Sequence, residues 1–128
     1  MTTKPPLLLL LAALTLLPAA AQARPRRLLV FAPSRSDARF QKQNALLAQS
    51  SAAFKDRDLL RTDIIGVEHG AARLRARYRV RGGSFRVLLI GRDGHTAYGG
   101  PSPVTLKSIT SRIDAMPMRR DEMQRWGR

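Results

Sequence analysis

Cysteine is absent from this 128-residue chain, and that absence removes several chemistries together. Thiol exchange, thiol-based peroxide reduction, cysteine-ligated metals and a lipid-anchoring cysteine are all excluded. No disulfide can brace the fold, so packing must hold it. Aromatic side chains are few, with four Phe, two Tyr and one Trp; aliphatic residues have to fill the core, and stacking on nucleobases has little to work with. Acidic residues are scarce as well, nine against 23 Lys and Arg. No Gly-x-Ser-x-Gly elbow and no paired-Glu arrangement marks a hydrolase. Internal repeats are missing, and no segment beyond residue 23 is apolar enough to stop in a bilayer.

What is present begins with a leader. Lys4 gives a positive start, Leu7 to Leu17 is apolar apart from Thr15, Pro18 ends the run, and Ala21-Gln22-Ala23 supplies a small-x-small cleavage pattern. This reads as a secretory signal peptide, residues 1–23, cleaved after Ala23. The expected location is periplasmic or secreted. Removing 23 residues from 128 leaves 105, residues 24–128, which suits a single domain with one core. Lys4 is the only charge in the leader, so the formal +14 falls to +13, and Arg dominates it, with 19 Arg to 4 Lys. Such a surface attracts polyanions through a long-range field that salt screens. Outside the membrane these are lipopolysaccharide, anionic lipid surfaces, acidic polysaccharide or stray nucleic acid. A solvated face with no dedicated ligand is the bland alternative.

The pattern along the chain alternates. Arg24 to Arg27 is a basic arm; Leu28-Leu29-Val30-Phe31 is a continuous apolar run suited to a strand buried on both faces. Ser36-Asp37 can cap a helix over the Gly- and Pro-free stretch Ala38 to Phe54, where Phe40, Leu47 and Phe54 recur on one face. Leu59 to Val67 reads as a second strand. From Arg73 to Arg81 the arginines alternate with Leu74, Ala76, Tyr78 and Val80, which fits a strand, while Ala71, Leu74 and Tyr78 also fit a helix. Phe85 to Ile90 is a strand, Asp93-Gly94 a hairpin turn, and Thr96 to Tyr98 the return. Ser102-Pro103 reads as a cap and first position of a helix bearing Leu106, Ile109, Ile113 and Met116. Met118 to Trp126 reads as a last turn or short helix. The order strand, helix, strand, helix, strand, strand, helix (βαβαββα) predicts a layered α/β domain of thioredoxin-like type.

Several segments resemble a known family. They are Leu28 to Ser34, Arg57-Asp58-Leu59, Leu74 to Tyr78, Val87 to Gly94 and, most distinctively, Ile113-Asp114-Ala115-Met116-Pro117-Met118-Arg119-Arg120-Asp121-Glu122-Met123. On these the chain resembles the DUF4174 family of thioredoxin-like domains of unknown function. That family is also called P-DUDES, after bacterial exported proteins and animal extracellular-matrix relatives. The resemblance implies a four-stranded mixed sheet with helices on both faces, and a helix at Ala71 to Tyr78. It implies no activity. A redox-active thioredoxin would carry paired Cys where Pro33 to Asp37 stands and a cis-Pro where Ser84 stands.

Three places are candidates for chemistry. Ser34, Arg35 and Ser36 precede the first helix, whose free N–H groups and dipole favour an anion, although Asp37 competes for them. Arg73, Arg75, Arg77, Arg79 and Arg81 form a candidate basic face. The segment of Asp114, Met116, Pro117, Met118, Arg119 and Arg120 reads as core packing, local ion pairs with Asp121 and Glu122, or a docking site for a protein partner. Its methionines, with only His69 and His95 elsewhere, make a thin soft-metal set. No metal or cofactor is expected, nor sequence-specific nucleic-acid binding. The expected function is an exported, redox-inactive binding or adaptor module that engages an anionic envelope component or a protein partner. The alternative is a hydrolase-type enzyme using Pro33 to Asp37 as an anion pocket, with Ser34, His69 and Asp37 as nucleophile, base and orienting acid.

Overall fold

The computed structural model describes residues 24–126. The leader and its cleavage point fall on residues 1–23, outside the described residues. Four strands form one mixed sheet: β1 (Arg26–Ala32), β2 (Leu59–Ile65), β3 (Arg86–Ile90) and β4 (Thr96–Gly100), in the order β2-β1-β3-β4. β1 runs parallel to β2 and antiparallel to β3, and β3 runs antiparallel to β4. Five helices connect and cover them: α1 (Ala38–Leu46), α2 (Ser51–Asp56), α3 (His69–Arg77), α4 (Leu106–Asp114) and α5 (Pro117–Arg125).

β1 is central, and both of its faces are covered, which explains its unbroken apolar run. Leu28, Val30 and Ala32 pack with Phe40 and Leu47 from the α1 segment and Ile109 and Ile113 of α4. Leu29 and Phe31 point the other way, against Leu74 and Tyr78 of the α3 segment and Val80. Helices therefore lie on both sides of the sheet, the arrangement expected of a thioredoxin-like α/β domain. No described helix is long and apolar enough to cross a membrane.

Three boundaries differ from the sequence expectation, each for a local reason. The helix expected from Ala38 to Phe54 breaks after Leu46, and the Ser50 hydroxyl donates to the Leu47 carbonyl at 2.8 Å before α2 begins. β2 stops at Ile65 rather than Val67, because Gly66 turns away at φ 81° while its N–H bonds Ala32 O at 2.9 Å. α4 is capped by Thr105, not Ser102. The buried Gln43 side chain accepts from Val104 N–H and donates to Val104 O, both at 2.9 Å. Val104 is thereby held as if paired in a strand, and the helix can start only beyond it; Thr105 Oγ1 then accepts from Ser108 N–H at 3.1 Å. The ambiguous stretch from Ala71 to Arg81 is helical to Arg77.

Candidate functional site

The end of the sheet where β1 and β2 finish carries the first candidate loop. Asp37 caps α1, its Oδ1 accepting from Arg39 N–H at 2.9 Å and Phe40 N–H at 3.3 Å. The Arg39 guanidinium also binds this carboxylate and holds it below its ordinary range. The helix amides that an external anion would use are thus occupied by the chain's own carboxylate. Ser34 and Ser36 bond each other through their hydroxyls at 3.1 Å, and Arg35 is exposed. His69 is exposed at the start of α3, and among the described residues no hydrogen bond joins it to Ser34 or Asp37. The loop therefore keeps two hydroxyls and one free guanidinium, without an assembled triad.

The arginine ladder divides because its first half is a helix and not a strand. Arg73 and Arg77 are exposed on α3; Arg79 and Arg81 follow its end and are also exposed. Arg75 is a correction to the expected basic face, since it is 3% exposed. Its guanidinium donates to four backbone carbonyls: Gly66 at 2.8 Å, Arg81 at 2.7 Å, Ser84 at 3.1 Å and Ala32 at 3.1 Å. It also lies 5.5 Å from the Phe31 ring centre. No carboxylate takes part, and burial lowers the Arg75 pKa. Arg75 is a tie that fastens the ends of β1 and β2 to the loop before β3.

α3 ends in a Schellman arrangement. Val80 N–H reaches Arg75 O at 2.8 Å and Arg79 N–H reaches Ala76 O at 3.2 Å, with Val80 packed in the Leu74 cluster. The residue in the left-handed position of such a cap is commonly Gly, yet here it is Arg79, at φ 57°. That conformation presents Arg79 beside Arg81 and Arg86 in an open groove of about 660 Å³, whose walls also include Tyr78, Ser84, Leu88 and Gly99. A Cβ on Gly99 would meet Leu88 Cδ2 at 2.8 Å and Arg86 Nη2 at 3.3 Å, so the glycine is what lets Arg86 lie against β4. No carboxylate lines this groove. Arg86 is a groove residue that the sequence reading missed, because it sits inside a strand pattern that looks purely structural.

At the opposite end of the sheet lies a different arrangement. Arg26, Arg57, Arg92 and Arg119 interlock with Asp56, Asp58, Asp114 and Glu122. Glu122 accepts from Arg26 Nη2 and from Arg92 Nε, both at 2.9 Å. Arg92 Nη1 reaches Asp58 at 2.8 Å. Asp114 takes Arg57 through two bonds, at 3.0 and 2.9 Å, and Arg119 Nε at 3.1 Å; Arg119 Nη2 reaches Asp56 at 2.8 Å. Arg26, Arg119, Arg92 and Glu122 are all buried. Burial raises the Glu122 carboxyl, but the bonds from Arg26 and Arg92 outweigh it and leave the pKa lowered; Asp114 is lowered in the same way by Arg57 and Arg119.

This cluster explains the most distinctive motif. Asp114 ends α4, Pro117 opens α5 at its first position, and Arg119 and Glu122 fall one turn apart on the inner side of α5. Of the local Arg-acid pairs expected around residues 119–122, Arg119–Glu122 forms at 3.7 Å, and Arg119 adds shorter bonds to Asp114, five residues back, and to the distant Asp56. Arg120 is exposed, Met116 and Met118 are half-buried, and Pro117 is exposed. Arg26, Asp56 and Arg92 were missed from the sequence, and Glu122 was read there only as a local ion-pair partner. One signal was available: Arg26 continues the alternation of Leu28, Val30 and Ala32, so a strand places it inward. The cluster is formally neutral, so the whole excess of positive charge falls elsewhere on the molecule. Among the described residues no group of three or more His, Asp and Glu forms a metal-ligand set.

A family model with the description Domain of unknown function (DUF4174) matches residues 18–122, most of the chain. No curated protein and no solved structure matches. Segments whose resemblance was noted from sequence, Arg57-Asp58-Leu59, Gly91-Arg92-Asp93-Gly94 and Ile113 to Met123, all contribute to the buried charge cluster.

Proposed function

Because this chain belongs to the DUF4174 family, which brings no assigned activity with it, we propose its function from the site itself. It is an exported, redox-inactive binding module that holds an anionic envelope component, lipopolysaccharide or acidic polysaccharide, in the groove of Tyr78, Arg79, Arg81 and Arg86. The observation that carries this reading is a groove with three arginines and no carboxylate in its walls. Elsewhere six acids are paired with arginines: Asp37 with Arg39, Asp63 with Arg61, and Asp56, Asp58, Asp114 and Glu122 in the buried cluster. Arg79 and Arg81 are exposed, so the groove is an open surface suited to a charged chain lying across it. The strained Arg79 backbone supports the same reading, since a glycine would satisfy the helix cap at lower cost.

Binding to lipopolysaccharide and to heparin, titrated across salt, tests it. Each guanidinium–anion contact contributes roughly one unit to the slope of log affinity against log salt. The triple variant Arg79→Gln, Arg81→Gln, Arg86→Gln is expected to lose about two to three units of slope. The control pair Arg120→Gln, Arg125→Gln, on exposed positions of α5, is expected to lose much less. Equal losses in the two variants would mean that net charge alone governs retention and that the groove has no special role.

A further inference from the structure

Meeting the arginine groove only at Thr96, a second cavity of about 330 Å³ lies between the buried cluster and the start of α5. Its walls combine Arg26, Arg92 and the Gly91 to His95 turn with Ala97, Met116, Pro117 and Met118. Two independent observations make it a site for a small anion. Arg26 spends both terminal nitrogens on Glu122 and Arg57 O, and its Nε–H, in a residue with no solvent exposure, is the one buried side-chain donor left without a partner among the described residues. Buried donors are almost always paired, so this one calls for an acceptor. The second is the N-terminus of α5, a nine-residue helix with Met116 at the cap, no side-chain cap bond and no acidic residue in its first turn. With Pro117 at the first position, the amides of Met118 and Arg119 have no helical acceptor and the dipole favours a negative group there.

We infer that this cavity binds a small organic carboxylate with a short apolar body. The carboxylate would take the Arg26 Nε–H and the α5 amides, and the apolar part would lie against Met116, Met118 and Ala97. The volume falls at the lower end of small-ligand pockets. Asp93 is the opposing charge in the wall. It is exposed at the rim and engaged by His95, Oδ1 accepting from the backbone N–H at 3.0 Å and Oδ2 lying 3.4 Å from Nδ1. This site does not depend on the arginine groove.

The test follows the arginine Nε–H resonances by ¹⁵N NMR while hexanoate is added, with hexanamide as the neutral match. A saturable shift of the Arg26 Nε–H at physiological salt, absent with hexanamide, is expected. Ala97→Trp, at an exposed wall position away from the ion pairs, should fill the cavity and weaken binding by at least roughly tenfold. Arg81→Ala and Arg86→Ala should leave it unchanged. A leucine-ending peptide with a free C-terminus, compared with its amide, separates a chain terminus from a free acid as the source of the carboxylate. The inference is overturned if hexanamide shifts the resonance equally, if only exposed arginines respond, or if Ala97→Trp stays folded and binds as well as the parent.

Discussion

Replacing Glu122 with Gln removes one charge at the point where the buried cluster is most constrained. The side chain is 8% exposed and accepts from Arg26 at 3.3 and 2.9 Å and from Arg92 at 2.9 Å. Glutamine keeps one acceptor oxygen and puts an NH₂ donor where the second oxygen was. Two buried guanidiniums then compete for that oxygen, and one faces another donor. Breaking a buried ion pair from one side costs about 3–5 kcal/mol, against a total stability of roughly 5–15 kcal/mol for a domain. The melting temperature is expected to fall by on the order of 20 °C. Urea unfolding followed by far-ultraviolet circular dichroism measures the free energy directly. Asp63→Asn, which neutralises the partner of Arg61 at an exposed position of β2, is the comparison and should cost no more than about 1 kcal/mol. Should Glu122→Gln prove too unstable to measure, the double variant with Arg26→Met keeps the reasoning open to test. Removing the cation left unpaired is expected to recover part of the loss, with a coupling above about 1.5 kcal/mol. A Glu122→Gln variant within about 1 kcal/mol of the parent, with an unchanged urea dependence, would refute the claim that this cluster is dry and mutually dependent.

Acid should undo the same cluster. Glu122 and Asp114 have folded pKa values lowered from the ordinary 4.5 and 3.8, so the unfolded chain binds more protons at low pH. Their contribution is fully present above the unfolded values and is lost as pH falls through the folded ones. Urea midpoints measured from pH 6 downward should therefore hold until roughly pH 5 and then decline, and the decline should be shallower in Glu122→Gln. Arg79→Gly separates stability from binding. Relieving the left-handed Arg79 backbone should stabilise the protein by about 1 kcal/mol, while heparin retention weakens; a variant that is both less stable and equally retained would contradict the part assigned to Arg79.

The core was legible in the sequence because burial leaves a periodic trace. The run Leu28 to Phe31 meant a strand covered on both faces, Phe85 to Ile90 placed the third strand to within a residue, and Asp93-Gly94 marked the hairpin. Glycine at position 94, with φ 84°, is what that turn requires. Asp37 as the cap of α1 was also readable, since capping is a local bond. Charged residues left no such trace. Arg75 and Arg79 sit four apart in one basic run, yet one is buried on four carbonyls and the other is exposed in a strained turn. Only the packing of α3 against β1 separates them.

The cluster of Arg26, Arg57, Arg92, Arg119, Asp56, Asp58, Asp114 and Glu122 shows the same limit more sharply, because its bonds span up to 96 residues of chain. Composition, the absence of cysteine, the alternation of strands and helices and the Asp37 cap follow from residues near one another, so the sequence by itself determined them. Which arginines are neutralised, which remain free in a groove, and which donor at Arg26 is left without a partner were decided only by tertiary structure. Those outcomes depend on where the sheet brings distant segments together, and on a desolvation cost that makes a buried guanidinium bind every acceptor within reach.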